Sequence, residues 1–275
     1  MFFKPLDEII NTFDRYCGVG AVVDNRASKK PTVIVPDIHG RPDFVRKVFE
    51  TYDTETWDIV FTGDILHREG NREEWQIMES SFIPGNEGIM LPELNASLEA
   101  MHLIVDKFLE CPDSVFLLRG NHDDVSGDLV GDFGKYCRTK ESVLFREGLL
   151  YYSHSLFLSI NGLCKKLPYV YLGKEFIASH TVPAGPIRIR DMRRNDPETH
   201  EAFAWTSNGD RPWLDATFKC LHPEAKLWFC GHVPVHSDFL RITRSGDKTI
   251  VQNNHPDFWC VVKVAGTEFR HKVLE

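Results

Sequence analysis

The sequence predicts an α/β protein in which two β-sheets pack together beneath outer helices. Three observations carry this. The first half alternates apolar strand-like runs with helical periodicity, the order of a parallel sheet with right-handed crossovers. The second half holds further strand-like runs at 149–152, 175–179, 226–230, 249–252 and 258–264, enough for a second sheet. No linker, internal repeat or low-complexity tract divides the 275 residues, so the whole chain, 1–275, reads as a single domain.

Taken in order, Leu6, Ile9, Ile10 and Phe13 have helical spacing and predict an N-terminal helix over 1–15, packed on the outside. Residues 18–31 read as a loop. Thr32-Val33-Ile34-Val35 is a buried strand, and Phe44, Val45, Val48 and Phe49 mark the helix after it. Asp58-Ile59-Val60-Phe61-Thr62 is the second strand. Residues 69–96 have no clear period and read as an insertion or lid. Leu98, Met101, His102, Val105 and Leu109 restore helical spacing, and Val115-Phe116-Leu117-Leu118 is the third strand.

A formal charge of −8 argues against general binding to nucleic acid or anionic membrane. No apolar run is long enough to cross a bilayer, and no basic start followed by an apolar core suggests a signal peptide. The seven cysteines are scattered, with no Cys-x-x-Cys pair. That favours a reducing, cytoplasmic setting.

Four segments combine metal-ligand residue types with glycine directly after strand-like runs. They are Pro36-Asp37-Ile38-His39-Gly40, Gly63-Asp64, Leu117-Leu118-Arg119-Gly120-Asn121-His122-Asp123 and Gly231-His232. Carboxylate, amide oxygen and imidazole suit hard or borderline divalent cations. An isolated Asp-x-His-Gly is usually a surface turn; four such segments in this order predict a two-metal hydrolase. Two cations roughly 3.5–4 Å apart would acidify a water and clamp phosphate oxygens.

These motifs resemble the calcineurin-like metallophosphoesterases, and within them the phosphoprotein phosphatase (PPP) family of serine/threonine phosphatases. The family's Gly-Asp-x-His-Gly matches Pro36–Gly40, and its Gly-Asp-x-Val-Asp-Arg-Gly matches Gly63–Gly70. Its Leu-Leu-Arg-Gly-Asn-His-Glu is nearly intact at Leu117–Asp123. Leu167–His180 resembles the family's Leu-Pro, strand, His-Gly-Gly region, and Gly231-His232-Val233-Pro234 its last metal histidine. The resemblance covers about 31–265 and implies a four-layer αββα sandwich with a central two-sheet core.

It further implies that Asp37 and His39 bind a first metal, that Asp64 bridges, and that Asn121, His180 and His232 bind a second. The ions would be two divalent or mixed-valence metals, Mn, Fe or Zn. A metal-bridging hydroxide would attack phosphorus, with His122 as general acid and Arg68 and Arg211 clamping phosphate. The substrate would be a phosphorylated protein. The alternative is a nucleotide polyphosphate such as diadenosine tetraphosphate, and the alternative of another class is a non-catalytic scaffold.

Three departures bear on this. His67 stands where the family has the Asp that orients the catalytic imidazole, so Asp123 or Asp124 is expected to hold His122 instead. Thr181-Val182-Pro183-Ala184 replaces the Gly-Gly after His180, and the insertion at 69–96 could extend the substrate groove. His154 rivals His180 as a ligand, and His236 and His255 are weaker candidates. Arg188, Arg190, Arg193 and Arg194 read as a solvated loop or as a polyphosphate clamp.

Overall fold

The computed structural model describes residues 20–67, 87–125, 140–206, 213–236 and 238–274, together with Ile9, Asn11, Thr12, Asp14 and Arg15. Those five residues are helical, and Ile9 joins the main core; the rest of the helix expected over 1–15 lies outside the described residues. Arg68 and Arg211 lie outside the described residues, as does the predicted insertion up to residue 86.

Eleven strands form among the described residues. The first sheet has five in the order β11-β10-β2-β3-β4. Its centre is β2 (Thr32–Val35), β3 (Asp58–Phe61) and β4 (Val115–Leu117), mutually parallel. Every residue of these three strands is buried, which explains their nearly continuous Val/Ile/Phe composition. β10 (Cys260–Ala265) and β11 (Glu268–Val273) complete it antiparallel.

The second sheet runs β1-β5-β6-β7-β9-β8. Here β6 (Phe176–Ser179), β7 (Leu227–Cys230) and β9 (Lys248–Gln252) are parallel. β1 (Val22–Asp24), β5 (Val170–Leu172) and β8 (Arg241–Ser245) flank them.

Alternation along the second sheet builds the layers. Tyr171, Phe176, Ala178, Phe229 and Val251 join the core shared with the first sheet. Their neighbours Val170, Leu172, Ile177, Trp228 and Ile250 pack instead with Leu214, Phe218 and Leu221 of an outer helix, Leu214–Leu221. The far face of the first sheet meets α1 (Pro42–Thr51) and α2 (Glu87–Glu110). α1 begins with Pro at its first turn and turns Phe44, Val45 and Val48 inward. Helices thus cover a two-sheet core on both sides.

Three expectations are corrected, the first by β1 itself, a strand within the stretch 18–31 that reads as a loop. Residues 149–152, read as a strand, close the helix α3 (Lys140–Tyr152). A short apolar run carries no period of its own, and here Phe145 and Leu149, one helical turn apart, are the buried pair. His154 consequently lies not near a strand end but at the start of α4 (His154–Cys164), exposed, with Ser153 capping the helix. Residues 87–96, the end of the stretch without clear period, belong to α2.

Candidate metal centre

Six strands, parallel within their sheets, point their C-terminal ends at one place. β2 delivers Asp37 and His39, β3 Asp64, β4 Asn121 and His122, β6 His180, β7 His232, and β9 Asn254. The turns are tight. His39, Asp64, His67 and His232 adopt left-handed backbone at φ of 46°, 51°, 59° and 65°. Such strain in non-glycine residues persists where the surroundings over-determine it. A Cβ at Gly120 would collide with the Asp64 carboxylate, and one at Gly231 with that of Asp37. These two glycines are the space that lets backbone reach the acids.

The donor atoms converge in two overlapping sets. His39, Asp64 and His122 form one, and Asp64, His180 and His232 the other, with the ligand atoms in each within 4.8 Å of one another. Asp64 belongs to both, the position a bridging carboxylate must hold. In the second set, His180 Nε2 lies 2.8 Å and His232 Nδ1 2.9 Å from Asn121 Oδ1, and 3.2 Å from each other. His180 Nε2 is also 3.2 Å from Asp64 Oδ2. Asp37 approaches His39 at 3.8 Å and His180 at 3.6 Å.

The other ring nitrogens explain why the lone pairs face inward. His39 Nδ1 meets the His67 carbonyl at 3.0 Å, and His180 Nδ1 the Thr62 carbonyl at 3.2 Å. A ring that donates at Nδ1 to a carbonyl leaves Nε2 free to ligate. Asp37 accepts from the His232 backbone N–H at 3.0 Å and from Asn254 Nδ2 at 2.7 Å.

Electrostatics points the same way. Burial, with His122 nearby, pushes His39 down to about 3, and burial with His180 pushes His232 down to about 4. Both are neutral donors at ordinary pH. Burial also acts against a charged His180, but Asp64 and Asp37 outweigh it and lift it to about 9. Burial acts against the Asp64 carboxylate, yet His180 and His122 hold it well below the usual range. Two buried acids beside one imidazole require a compensating positive charge, which here the His180 proton supplies and which cations would supply in its place. The donor set therefore fits divalent cations.

His122 turns Nε2 toward this centre, 4.0 Å from Asp64 Oδ2, and Nδ1 toward His67 Nδ1 at 3.1 Å. The carboxylates expected behind it are elsewhere. Asp123 accepts N–H groups of Asp64, Ile65 and Gly120 at 2.8, 3.0 and 2.9 Å, with Leu66 longer at 3.4 Å. It ties the turns after β3 and β4 together. Asp124 meets the fully buried Arg119 at 3.4 Å. Both acids are drawn to strong donors on the turn itself.

The missing Gly-Gly after His180 is compensated by packing. Thr181 N–H donates to the Phe203 carbonyl at 2.9 Å, and Thr181 Oγ1 to that of Ala202 at 3.3 Å. Those carbonyls belong to the π-helix Glu201–Trp205, an irregular turn frequent at functional sites.

Other candidates lie apart. His236 is exposed. His255 packs against Phe239 and Phe258, while its neighbour Asn254 reaches the centre. In the basic run, Arg188 pairs with Asp191 at 2.6 Å. Arg193 donates to the carbonyls of Arg190 and Met192, and Arg194 to Asp14 and the Gly20 carbonyl. Sequence reasoning missed Asn254; its only signal is its place after a strand, like every other residue of the centre.

Fold and centre together define a metal-dependent hydrolase. A calcineurin-like phosphoesterase family model matches residues 30–236, and the chain belongs to that family. It is a dinuclear phosphoesterase. No curated protein matches the chain significantly. Among solved structures, one similar fold is a protein serine/threonine phosphatase from Saccharomyces cerevisiae with similarity to human phosphatase PP5. It is 15% identical over 99% of this chain and 90% of that one, with a TM-score of 0.61. Another is the cold-active protein-tyrosine phosphatase of a psychrophilic Shewanella species, 12% identical over 93% and 82% of the two chains, TM-score 0.52. No helix among the described residues is long and apolar enough to cross a membrane.

Proposed function

We propose that this protein hydrolyses phosphate monoesters, with phosphoserine or phosphothreonine of proteins as the substrate class. The supporting observation is the place of Asp64 in both donor sets, with Asp37 3.8 Å from His39 and 3.6 Å from His180; His122, within the first set by position, is assigned the proton and not a metal. The nearly intact motif at Leu117–Asp123, which resembles the phosphoprotein phosphatases, supports the protein substrate.

Asp37, His39 and Asp64 would hold one cation, and Asp64, Asn121, His180 and His232 the other. Mn, Fe or Zn suits this N/O set. When bound, the cations acidify the attacking water and neutralise phosphoryl charge. His122 Nε2 gives its proton to the leaving oxygen. Arg68 and Arg211 are assigned to the phosphoryl oxygens, because a guanidinium pairs bidentately and stays charged. A nucleotide polyphosphate is the second substrate class, favoured by His67 in place of the family acid.

The test offers Mn²⁺-loaded protein an equimolar mixture of a phosphothreonine peptide and diadenosine tetraphosphate, with EDTA and His122→Asn controls. Peptide cleavage abolished by both controls is expected. Cleavage of the nucleotide alone would overturn the protein-phosphatase assignment and leave the second class.

A further inference from the structure

The buried ring of His67 has no part in the chemistry described so far, yet it touches the proton donor. Its Nδ1 lies 3.1 Å from His122 Nδ1, and His122 is oriented so that its opposite nitrogen, Nε2, faces Asp64. The same residue's carbonyl receives His39 Nδ1 at 3.0 Å. Its backbone sits at φ 59°, which aims carbonyl and side chain at two different histidines. Phe145 packs on the ring at 4.8 Å between centroids and fixes its plane. Asp123 and Asp124 are committed to backbone amides and to Arg119.

We propose that His67 is the positioning residue for the proton donor: its ring holds His122 at Nδ1 and so directs Nε2–H at the leaving oxygen. This rests on the assignment of His122 as the acid. In the step served, water adds to phosphorus and the ester P–O bond breaks, its electron pair passing to the leaving oxygen. That oxygen takes the proton of His122 Nε2. A proton from the attacking water restores the donor, so ester and water become alcohol and phosphate. When His122 carries both ring protons, its Nδ1–H needs an acceptor, and the lone pair of His67 Nδ1 provides one. His67 touches no substrate and acts only through His122.

The leaving group reads this role. A nitrophenolate departs without help, whereas a phenolate needs the proton more. Wild type, His67→Ala, His67→Asn and His122→Ala, each loaded with Mn²⁺, are compared on para-nitrophenyl phosphate and phenyl phosphate. Bound manganese per chain is measured alongside. For both His122→Ala and His67→Ala, kcat on phenyl phosphate is expected to fall about tenfold or more further than on para-nitrophenyl phosphate. For His67→Ala, KM and manganese content stay near wild type, because the carbonyl that orients His39 remains. His67→Asn restores most of the loss, since its amide oxygen accepts from Nδ1–H and Asn tolerates left-handed backbone. If Ala does not fold at this position, His67→Gly makes the same deletion without backbone strain. An equal loss on both substrates, or no rescue by Asn, overturns the positioning role while His122→Ala stays leaving-group dependent. If His122→Ala itself shows no such dependence, the acid assignment fails first and this inference with it.

Discussion

Asp123 is an acceptor for several backbone amides rather than a partner for an imidazole. Replacing it with Ala leaves those buried N–H groups unpaired, so Asp123→Ala should cost about 3 kcal/mol or more of stability, measured by urea denaturation. Loss of turnover in a fully stable variant would contradict that assignment. Asn254 acts differently, through a hydrogen bond to a metal-binding carboxylate. Asn254→Ala should weaken metal affinity about 10- to 100-fold with little change in fold, read by titration calorimetry. The two residues differ in legibility. Asp37, His39, Asp64, Asn121 and His122 stand out because each belongs to a run of ligand types beside glycine. Asn254 stands beside no such glycine, and its partner is 217 positions away in the chain. Asp123 was visible, but its partners are backbone amides, which sequence does not display.

At the scale of elements, β7 shows how a strand places a ligand. Trp228 is fully buried, and its Nε1–H donates to Ser179 Oγ at 2.8 Å, one residue before His180. Ser179 Oγ in turn donates to the Thr181 carbonyl at 2.6 Å, so the turn carrying His180 is bracketed from the neighbouring strand. Trp228→Phe keeps the ring's hydrophobic role but removes the donor. It should lower stability by about 2 kcal/mol in urea denaturation and weaken metal binding as His180 loosens. The six strands that carry the centre were legible as apolar runs. The peripheral ones were not. β1 is three residues long within a polar stretch, and β8 and β11 are largely exposed, so neither has an apolar run to announce it. The apolar run at 149–152 misled in the opposite way, because burial of one helical face and of a strand select the same side chains.

Over the whole molecule, the centre draws its groups from both sheets: Asp37, His39, Asp64, Asn121 and His122 from the first, His180, His232 and Asn254 from the second. A cation held there stabilises only the assembled sandwich. Mn²⁺ at a thousand times its Kd should add about 4 kcal/mol, seen as a rise in calorimetric Tm that EDTA reverses. An unchanged Tm would mean that the folded protein gains nothing from the ions. The sharing of one centre by two sheets also bears on how the protein is made. Asp37 waits for a hydrogen bond from His232, 195 residues later, and β2 waits for β10. A chain of which only the first two hundred or so residues have left the ribosome therefore lacks His232 and Asn254 of the centre, and β10 beside β2. The two halves of the centre can therefore meet only after β7 and β9 have been made, so the order of the chain sets the order in which the site is assembled.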